Sequence, residues 1–207
     1  MGVFSLGVTK LVTTGHGGLL VTKDKKIFCK LKLMRDAGSL LQKNSILKTF
    51  PLGFNFKFND ILAAIGLGQL NCLKEKITIH KKIHNFYKNE LKKIEYLRLI
   101  NINNKEGELQ LWSEVLCAER RRVISLLRSK NIQAIPFDST ISNLLNLKNQ
   151  KYLKFSKLYA DYGLILPSGP GQKERDLEYV IRELSNIQGK LRISCKDKKN
   201  ITNLANL

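Results

Sequence analysis

The first third of the chain alternates short apolar runs with polar turns. Apolar runs at residues 2–4 and 19–21 flank a glycine-rich segment and predict two short strands. Asp24 is a suitable N-cap for a helix that ends before Gly38. The stretch from Ser39 to Leu52 has weak periodicity and ends at a proline, so we predict a loop there.

Two helices and a mixed α/β region follow. The first helix begins after Asn59 or Asp60, and the second runs from about Leu73 to Ile94 with lysines opposite its apolar face. The later elements are predicted at 97–102 (strand), 109–116 (strand), 119–129 (helix), 132–136 (strand), 154–161 (helix) and 174–187 (helix). Their β-β-α-β beginning predicts a small mixed α/β layer. The residues beyond Gly189 are predicted to be weakly ordered.

A single lysine, Lys10, lies between the first predicted strand and the glycines Gly15, Gly17 and Gly18. Glycines let the backbone adopt positive φ and let a ligand approach closely. A lysine that is desolvated in such a setting can attack a carbonyl carbon and form a Schiff base. This chemistry suggests pyridoxal phosphate. The alternative is a solvated lysine beside a hairpin.

Three blocks of the sequence are similar, in order and distance, to segments of one enzyme family. The blocks are Ser5-x4-Lys10-x2-Thr13-Thr14-Gly15-x-Gly17-Gly18, then Gly53-Phe54-Asn55-Phe56-Lys57-Phe58-Asn59-Asp60 with the helix after it, and Gly163-Leu164-Ile165-Leu166-Pro167-Ser168-Gly169. They resemble the cofactor-lysine segment, the Gly-Tyr-Asn-x-Arg-Met segment and the Leu-Pro-Ser segment of the DegT/DnrJ/StrS nucleotide-sugar aminotransferases. Members of that family are fold-type-I enzymes that use pyridoxal 5'-phosphate.

The resemblance implies an α/β fold that corresponds to the C-terminal part of a fold-type-I aminotransferase. In the family the lysine segment lies near the middle of a protein roughly twice this length, whereas Lys10 lies close to the start of this chain. The implied organisation is a remnant of the cofactor domain with a partial sheet (1–72), a connecting helix (73–94), a small mixed α/β C-terminal domain (95–190) and a weakly ordered tail (191–207).

The resemblance also assigns roles to three side chains. Lys10 would form the internal aldimine and then act as the general base of the proton shift. Ser5 would donate its hydroxyl to the cofactor phosphate, and the alternative is a core serine bonded to backbone. Asn55 would reach the phosphate of the neighbouring subunit's cofactor, and the alternative is an ordinary turn residue.

The activity implied by the resemblance is transfer of an amino group, from glutamate, to a nucleotide-linked keto-sugar in polysaccharide, lipopolysaccharide or amino-sugar biosynthesis. The absent half of the family fold carries a phosphate-gripping turn, a ring-stacking aromatic residue and the acid paired with the ring nitrogen. We therefore expect either a homodimer or a separate N-terminal half as partner. The alternatives are a noncatalytic remnant that dimerises as an interaction module, or a basic nucleic-acid-binding protein.

Some positions depart from the family pattern. His16 stands where an acidic residue is usual, and Lys57 replaces an arginine and so cannot form its bidentate fork. The region that carries a Pro-Leu-His-like substrate segment in many members contains no histidine here and reads Pro136-Phe137-Asp138-Ser139-Thr140. The lack of a histidine in that last segment argues against sugar binding there of the kind that the family resemblance implies.

Composition narrows the remaining classes. The chain has 207 residues, 43% of them hydrophobic, and a net charge of +19. Its lysines are spread along the chain and no zinc-finger spacing, RNP box or clear helix-turn-helix is present, so we expect no specific nucleic-acid partner. No apolar run is long enough to span a membrane, and no secretory signal is expected at the start. The four cysteines form no CxxC pair, which is typical of buried thiols in a reducing cytoplasm.

Two further patterns are predicted to be surface features. His80 and His84 have a spacing that can hold zinc, but neighbouring lysines and the lack of a third ligand favour a solvated basic face and no metal. The run from Arg120 to Arg122, with Arg128, could meet a phosphate, but a helix surface explains it better.

Overall fold

The structure is a computed structural model that describes residues 1–42, 45–49, 52–137 and 154–205. It divides into two compact units, Met1–Lys74 and Glu75–Leu207. Each unit is described by itself. The four-part division predicted from the sequence stays a prediction.

The first unit begins with an antiparallel hairpin. Strands β1 (Gly2–Ser5) and β2 (Gly18–Val21) pair so that Val3 faces Leu20 and Phe4 faces Leu19. These are the two strands that the apolar runs predict, and the residues between them form the connection that carries the lysine.

Two capped helices complete the regular structure that the sequence predicts for this unit. Helix α1 (Lys25–Arg35) begins where the Asp24 carboxylate accepts bonds from the backbone N–H groups of Lys26 and Ile27. Helix α2 (Asp60–Asn71) begins where the Asn59 side chain accepts from the Leu62 N–H. Both N-caps satisfy donors that have no partner within the helix.

The predicted loop over 39–52 was wrong for most of its described residues. Strands β3 (Ser39–Gln42) and β4 (Ser45–Thr49) form an antiparallel hairpin whose register shifts between Leu40 and Gln42. Such an irregularity breaks the two-residue alternation of side chains, which is the signal that marks a strand in a sequence.

The second unit is built on one antiparallel sheet with strand order β5–β6–β8–β7. The strands are β5 (Leu97–Leu99), β6 (Ser113–Cys117), β7 (Ile135–Pro136) and β8 (Gly163–Leu166). The helices are α3 (Leu73–Glu90), whose first residues precede the unit boundary, α4 (Arg120–Arg128), α5 (Lys154–Tyr162), α6 (Glu174–Gln188) and α7 (Cys195–Ala205). Strand β8 was not predicted; the sequence analysis places no strand between the helices predicted at 154–161 and 174–187.

The hydrophobic core that the structure describes belongs to this second unit. Its largest fully buried side chains include two tyrosines, Tyr87 and Tyr96. Their hydroxyls donate to the carbonyl oxygens of Pro167 and Leu184, each at 2.7 Å. Both buried hydroxyls therefore have acceptors, and burial raises the pKa of both phenols.

The residues from Cys195 to Ala205 form helix α7, in contrast to the weakly ordered tail that the sequence predicts from 191 onward. Ile201, Leu204 and Ala205 of α7 are buried in the core. The Asn101 side-chain amide donates to the Ala205 carbonyl at 2.8 Å, and the Tyr159 hydroxyl donates to the Leu204 carbonyl at 3.1 Å. Helix α7 is thus held by apolar burial and by side-chain hydrogen bonds.

Among the described residues, no helix combines the length and the apolar composition that crossing a bilayer requires.

Candidate functional site

The lysine-bearing connection between β1 and β2 is closed at its base by backbone hydrogen bonds. The Leu6 N–H donates to the Gly17 carbonyl, and the Thr14 N–H donates to the Leu6 carbonyl, both at 3.0 Å. Leu6 is buried, and a turn follows in which the Lys10 N–H donates to the Gly7 carbonyl at 3.0 Å. Lys10 therefore lies on a loop whose two ends are pinned together.

The two threonines of the first sequence block shape this loop. The Thr13 hydroxyl donates to the Leu6 carbonyl at 3.3 Å and accepts from the Gly15 N–H at 3.0 Å. The Thr14 hydroxyl donates to the His16 carbonyl at 2.7 Å. Both hydroxyls are used within the turn, which agrees with a structural role for them.

The glycines of the first block are required by backbone geometry and by packing. Gly15 and Gly17 have φ of 85° and 115°, which side-chain-bearing residues rarely adopt. A Cβ at Gly17 would lie 2.6 Å from the Phe58 ring, and one at Gly66 would lie 3.2 Å from the Thr14 methyl group. The lysine loop thus packs closely against residues of the second block and of helix α2.

This packing was not predicted from the sequence. One feature of the sequence could have indicated it. Gly17, Phe58 and Gly66 all belong to blocks that resemble segments of one family, and such segments are expected to lie close together in the fold. The structure brings the first two blocks together through the contact between Gly17 and Phe58.

Lys10 and Ser5 are both exposed to solvent. The Ser5 hydroxyl oxygen accepts from the Gly7 N–H at 3.3 Å, an interaction that leaves the hydroxyl its own proton to donate. Because Ser5 is exposed, it is not the core serine that Sequence analysis gives as the alternative to a phosphate-binding role. An exposed amine, for its part, lacks the desolvated surroundings that activate a lysine nucleophile.

Asn55 lies on a segment that is bonded to the C-terminal end of α1. It forms an isolated bridge with Asp36, and the flanking Phe54 N–H donates to the Met34 carbonyl at 2.7 Å. Gly53 passes so close to Gly38 that a Cβ there would meet backbone atoms. The side chain of Asn55 is exposed. The rings of its two sequence neighbours, Phe54 and Phe56, stack on each other with centroids 4.9 Å apart.

The charges near Asn55 include an ion pair. The Arg35 guanidinium bonds to the Asp36 carboxylate at 2.8 Å. This hydrogen bond is the main cause that lowers the pKa of Asp36, and Lys57 lowers it further through its charge. The Lys57 side chain is itself exposed.

The predicted solvated face at His80 and His84 was wrong, because both side chains are buried. The His84 Nδ1 atom is 2.9 Å from the Gln110 side-chain oxygen, and burial is the main cause that lowers the pKa of His80, followed by the charge of Lys76. Across the part of the chain that the structure describes, no group of three or more His, Cys, Asp or Glu side chains could hold a metal ion.

Comparisons with known proteins point to one enzyme family. The model of the DegT/DnrJ/EryC1/StrS aminotransferase family matches residues 1–185. The chain is 29% identical to GDP-perosamine synthase of Caulobacter vibrioides over 199 residues. The matched region covers 89% of this chain and 51% of that enzyme. It is 27% identical to UDP-4-amino-4,6-dideoxy-N-acetyl-beta-L-altrosamine transaminase of Campylobacter jejuni over 135 residues. This matched region covers 62% of this chain and 36% of that enzyme.

Solved structures show the same fold at lower identity. The Helicobacter pylori aminotransferase PseC matches with a TM-score of 0.80 at 20% identity, over 91% of this chain and 53% of its own. The sugar aminotransferase CalS13 of Micromonospora echinospora matches with a TM-score of 0.79 at 22% identity, over 89% of this chain and 51% of its own. The predicted fold class is thereby confirmed. The chain spans about half the length, or less, of the relatives that it matches.

Proposed function

Because the chain belongs to the DegT/DnrJ/EryC1/StrS aminotransferase family, we propose that it supplies the lysine-bearing part of a pyridoxal-phosphate-dependent transaminase for a nucleotide-linked keto-sugar. The observation that supports this most is the pinned loop on which Lys10 follows Ser5 and precedes the glycine turn in the sequence. The proposed amino donor is glutamate.

The residues of the loop fit the cofactor in two respects. Ser5 offers an exposed hydroxyl for a phosphate oxygen, and a Cβ placed at Gly15 would meet no atom within 4 Å, so the turn is open to a ligand. Pyridoxal phosphate, when bound, supplies the electron sink of the reaction. The amine of Lys10 would hold it covalently and later carry a proton to and from the substrate carbon.

Asn55 has the proposed role of binding the phosphate of a neighbouring subunit's cofactor, which its exposed side chain allows. The acid for the ring nitrogen and the aromatic residue for the ring face are proposed to come from polypeptide outside these 207 residues. This division is supported by the match to only about half of each relative's length. The four cysteines are all free thiols, which supports a reducing compartment such as the cytoplasm.

Borohydride trapping tests the lysine assignment. The purified chain is incubated with pyridoxal phosphate, reduced and mapped by peptide mass spectrometry, with Lys10→Ala as the variant. Lys23→Ala is the matched control, because Lys23 is also exposed and follows the other strand of the hairpin. We expect one adduct per chain, lost in Lys10→Ala and retained in Lys23→Ala. Labelling spread over many lysines, and equal in both variants, would refute the assignment.

A second candidate is a noncatalytic module that has kept the fold and lost the chemistry. The observation that favours it is the solvent exposure of Lys10, because an exposed amine lacks the desolvated surroundings that activate a lysine nucleophile. The two candidates differ in the trapping experiment, since only the first gives a selective adduct at Lys10.

A further inference from the structure

Three polar side chains of the second unit connect helix α3 to strand β6. His84 lies on α3, Gln110 lies three residues before β6, and Glu114 is the second residue of β6. His84 and Gln110 are buried, with exposed fractions of 4% and 8%, and Glu114 is partly buried. Polar atoms at such depth normally have hydrogen-bond partners.

The bond between His84 and Gln110 fixes the direction of the Gln110 amide. The His84 Nδ1 atom lies 2.9 Å from the Gln110 Oε1 atom. An amide oxygen only accepts hydrogen bonds, so the imidazole carries a proton on Nδ1 whether the ring is neutral or charged. The same bond turns the NH2 group of Gln110 away from His84.

That NH2 group has no partner in the structure. Among the described residues, Gln110 Nε2 is the one buried side-chain polar atom without a hydrogen bond. A buried donor without an acceptor is costly, because its bonds to water are lost and nothing replaces them. The geometry therefore calls for an acceptor close to Gln110 Nε2.

Glu114 is the acceptor within reach. The Gln110 amide lowers the pKa of Glu114, although burial has the larger effect and raises that pKa overall. The sheet around Glu114 is apolar, since Ile165 is its cross-strand partner on β8 and Ile100 donates its backbone N–H to the Glu114 carbonyl from the other side. A partly buried carboxylate in such surroundings is stabilised by a hydrogen bond to its charged form.

The other groups around these side chains do not take the place of Glu114. His80 is buried one turn before His84, and its pKa is lowered first by burial and then by the charge of Lys76. The Tyr87 hydroxyl donates to a backbone carbonyl, and the Ser168 hydroxyl accepts from a backbone N–H. Of all these groups, Glu114 is the one that can present an anion to the Gln110 amide.

We infer that His84, Gln110 and Glu114 form a proton-controlled clamp between α3 and β6. In the closed clamp, the ionised Glu114 carboxylate accepts from Gln110 Nε2 while Gln110 Oε1 accepts from His84. The clamp opens at the Glu114 end when that carboxylate takes up one proton from solvent and no longer attracts the amide. The structure shows the His84 end closed and the Glu114 end open. No residue of the lysine loop takes part, so the inference goes beyond the proposed function and does not depend on it.

Acid should therefore loosen the contact between α3 and β6 without unfolding the second unit. Because the pKa of Glu114 is raised above 4.5, its proton uptake begins at a higher pH than that of an ordinary glutamate. The clamp is closed above this folded pKa and opens as the pH falls through it. A carboxyl group with a raised folded pKa is tolerated better in its protonated form, so this step alone does not lower the unfolding free energy.

Two measurements on the whole chain test the clamp. The first is ¹⁵N NMR of the histidine rings in mildly alkaline buffer, which should show a proton on Nδ1 of His84; the chain has only three histidines. The second follows the emission of Trp112, the only tryptophan, which lies between Gln110 and Glu114 in the sequence. On acidification we expect a reversible change in this emission with a midpoint above pH 4.5.

Three variants separate the clamp from other titrations. Glu114→Gln should abolish the change in Trp112 emission. Glu106→Gln is the matched control, because Glu106 is an exposed glutamate on the same connection between β5 and β6, and it should retain the change. Gln110→Leu removes the amide that lowers the pKa of Glu114, so the midpoint should rise by at least about 0.3 pH unit. A purely structural role of Gln110 would not move that midpoint.

Any of three results would overturn the inference. A proton on Nε2 alone of His84 would make Nδ1 an acceptor and reverse the amide of Gln110. A Trp112 change that is absent from the parent chain, or that persists in Glu114→Gln, would exclude Glu114 as the controlling group. An unchanged midpoint in Gln110→Leu would mean that the amide does not act on the carboxylate. The NMR measurement needs no variant, so it decides the His84 end even if a variant fails to fold.

Discussion

Replacement of Ile201 by alanine tests whether helix α7 is part of the folded second unit. Ile201 is fully buried, and alanine removes three of its carbon atoms. Transfer of those groups accounts for about 2.4 kcal/mol at about 0.8 kcal/mol each. The cavity left behind raises the expected loss to about 3–4 kcal/mol, within the range measured for such changes. That is a large fraction of the total stability of a typical domain.

The assay is urea unfolding followed by tryptophan fluorescence. Trp112 is the only tryptophan of the chain and lies directly before β6, so its signal reports on the second unit. A graded series strengthens the test, because Ile201→Val should cost only about 0.5–1.5 kcal/mol. Asn203→Ala is the control, since Asn203 is exposed on the same helix.

The packing of α7 would be refuted if Ile201→Ala changed the unfolding free energy by no more than about 0.5 kcal/mol, the range of ordinary surface substitutions. The C-terminal residues would then behave as the weakly ordered tail that their sequence suggests. A loss that is equal for the valine and alanine variants would also contradict the reasoning, because it would not follow the volume removed.

Three further changes test other parts of the structure. Gly17→Ala should destabilise the first unit by more than about 1 kcal/mol, because of its positive φ and its clash with Phe58, whereas Gly68→Ala, in open space on α2, should be neutral or stabilising in thermal unfolding. Tyr96→Phe should lower the unfolding free energy by about 1 kcal/mol, through loss of one buried hydrogen bond; an unchanged urea midpoint would contradict this. Hydrogen bonds from the Ser194 and Tyr162 hydroxyls lower the pKa of Asp197 in the folded protein. The ionised carboxylate therefore stabilises the fold fully above the unfolded pKa near 3.8, and this stabilisation is lost as the pH falls through the lower folded pKa. Asp197→Asn should therefore make unfolding less dependent on pH in acid, and an identical acid limb would refute that.

The sequence predicts most of the helices and the lysine loop because their signals are local. The N-caps Asp24 and Asn59 sit directly before apolar-periodic segments, and the structure uses both as predicted. The loop is a contiguous motif whose hydrogen bonds join residues between Leu6 and Gly17, so its backbone bonding is local in the sequence.

The elements that were missed depend on distant contacts. Strand β8 is a four-residue apolar run that becomes a strand by pairing with β6 and β7, which precede it in the chain. The apolar residues Ile201 and Leu204 of α7 follow a lysine-rich stretch, and charge density there suggests disorder unless a core is present to bury them. The burial of His80 and His84 likewise depends on the fold, since lysines surround both in the sequence.

The sequence predicts which side chains form the candidate site. It does not predict whether those side chains are buried or exposed to solvent. Lys10, Ser5 and Asn55 follow from a resemblance to family segments, but their reactivity depends on what excludes water from them. The structure shows all three exposed, which local sequence patterns do not reveal.

The two-sided apolar hairpin at the start of the chain has a practical consequence for handling the protein. A strand edge that has no partner strand among the described residues and is flanked by apolar side chains is a template for cross-β pairing between identical chains. The yield of soluble protein should therefore fall as the protein concentration rises. During refolding from denaturant, chains should aggregate through this edge even under conditions in which the second unit is stably folded. In a cell, the lifetime of the chain would depend on how soon after synthesis that edge is paired.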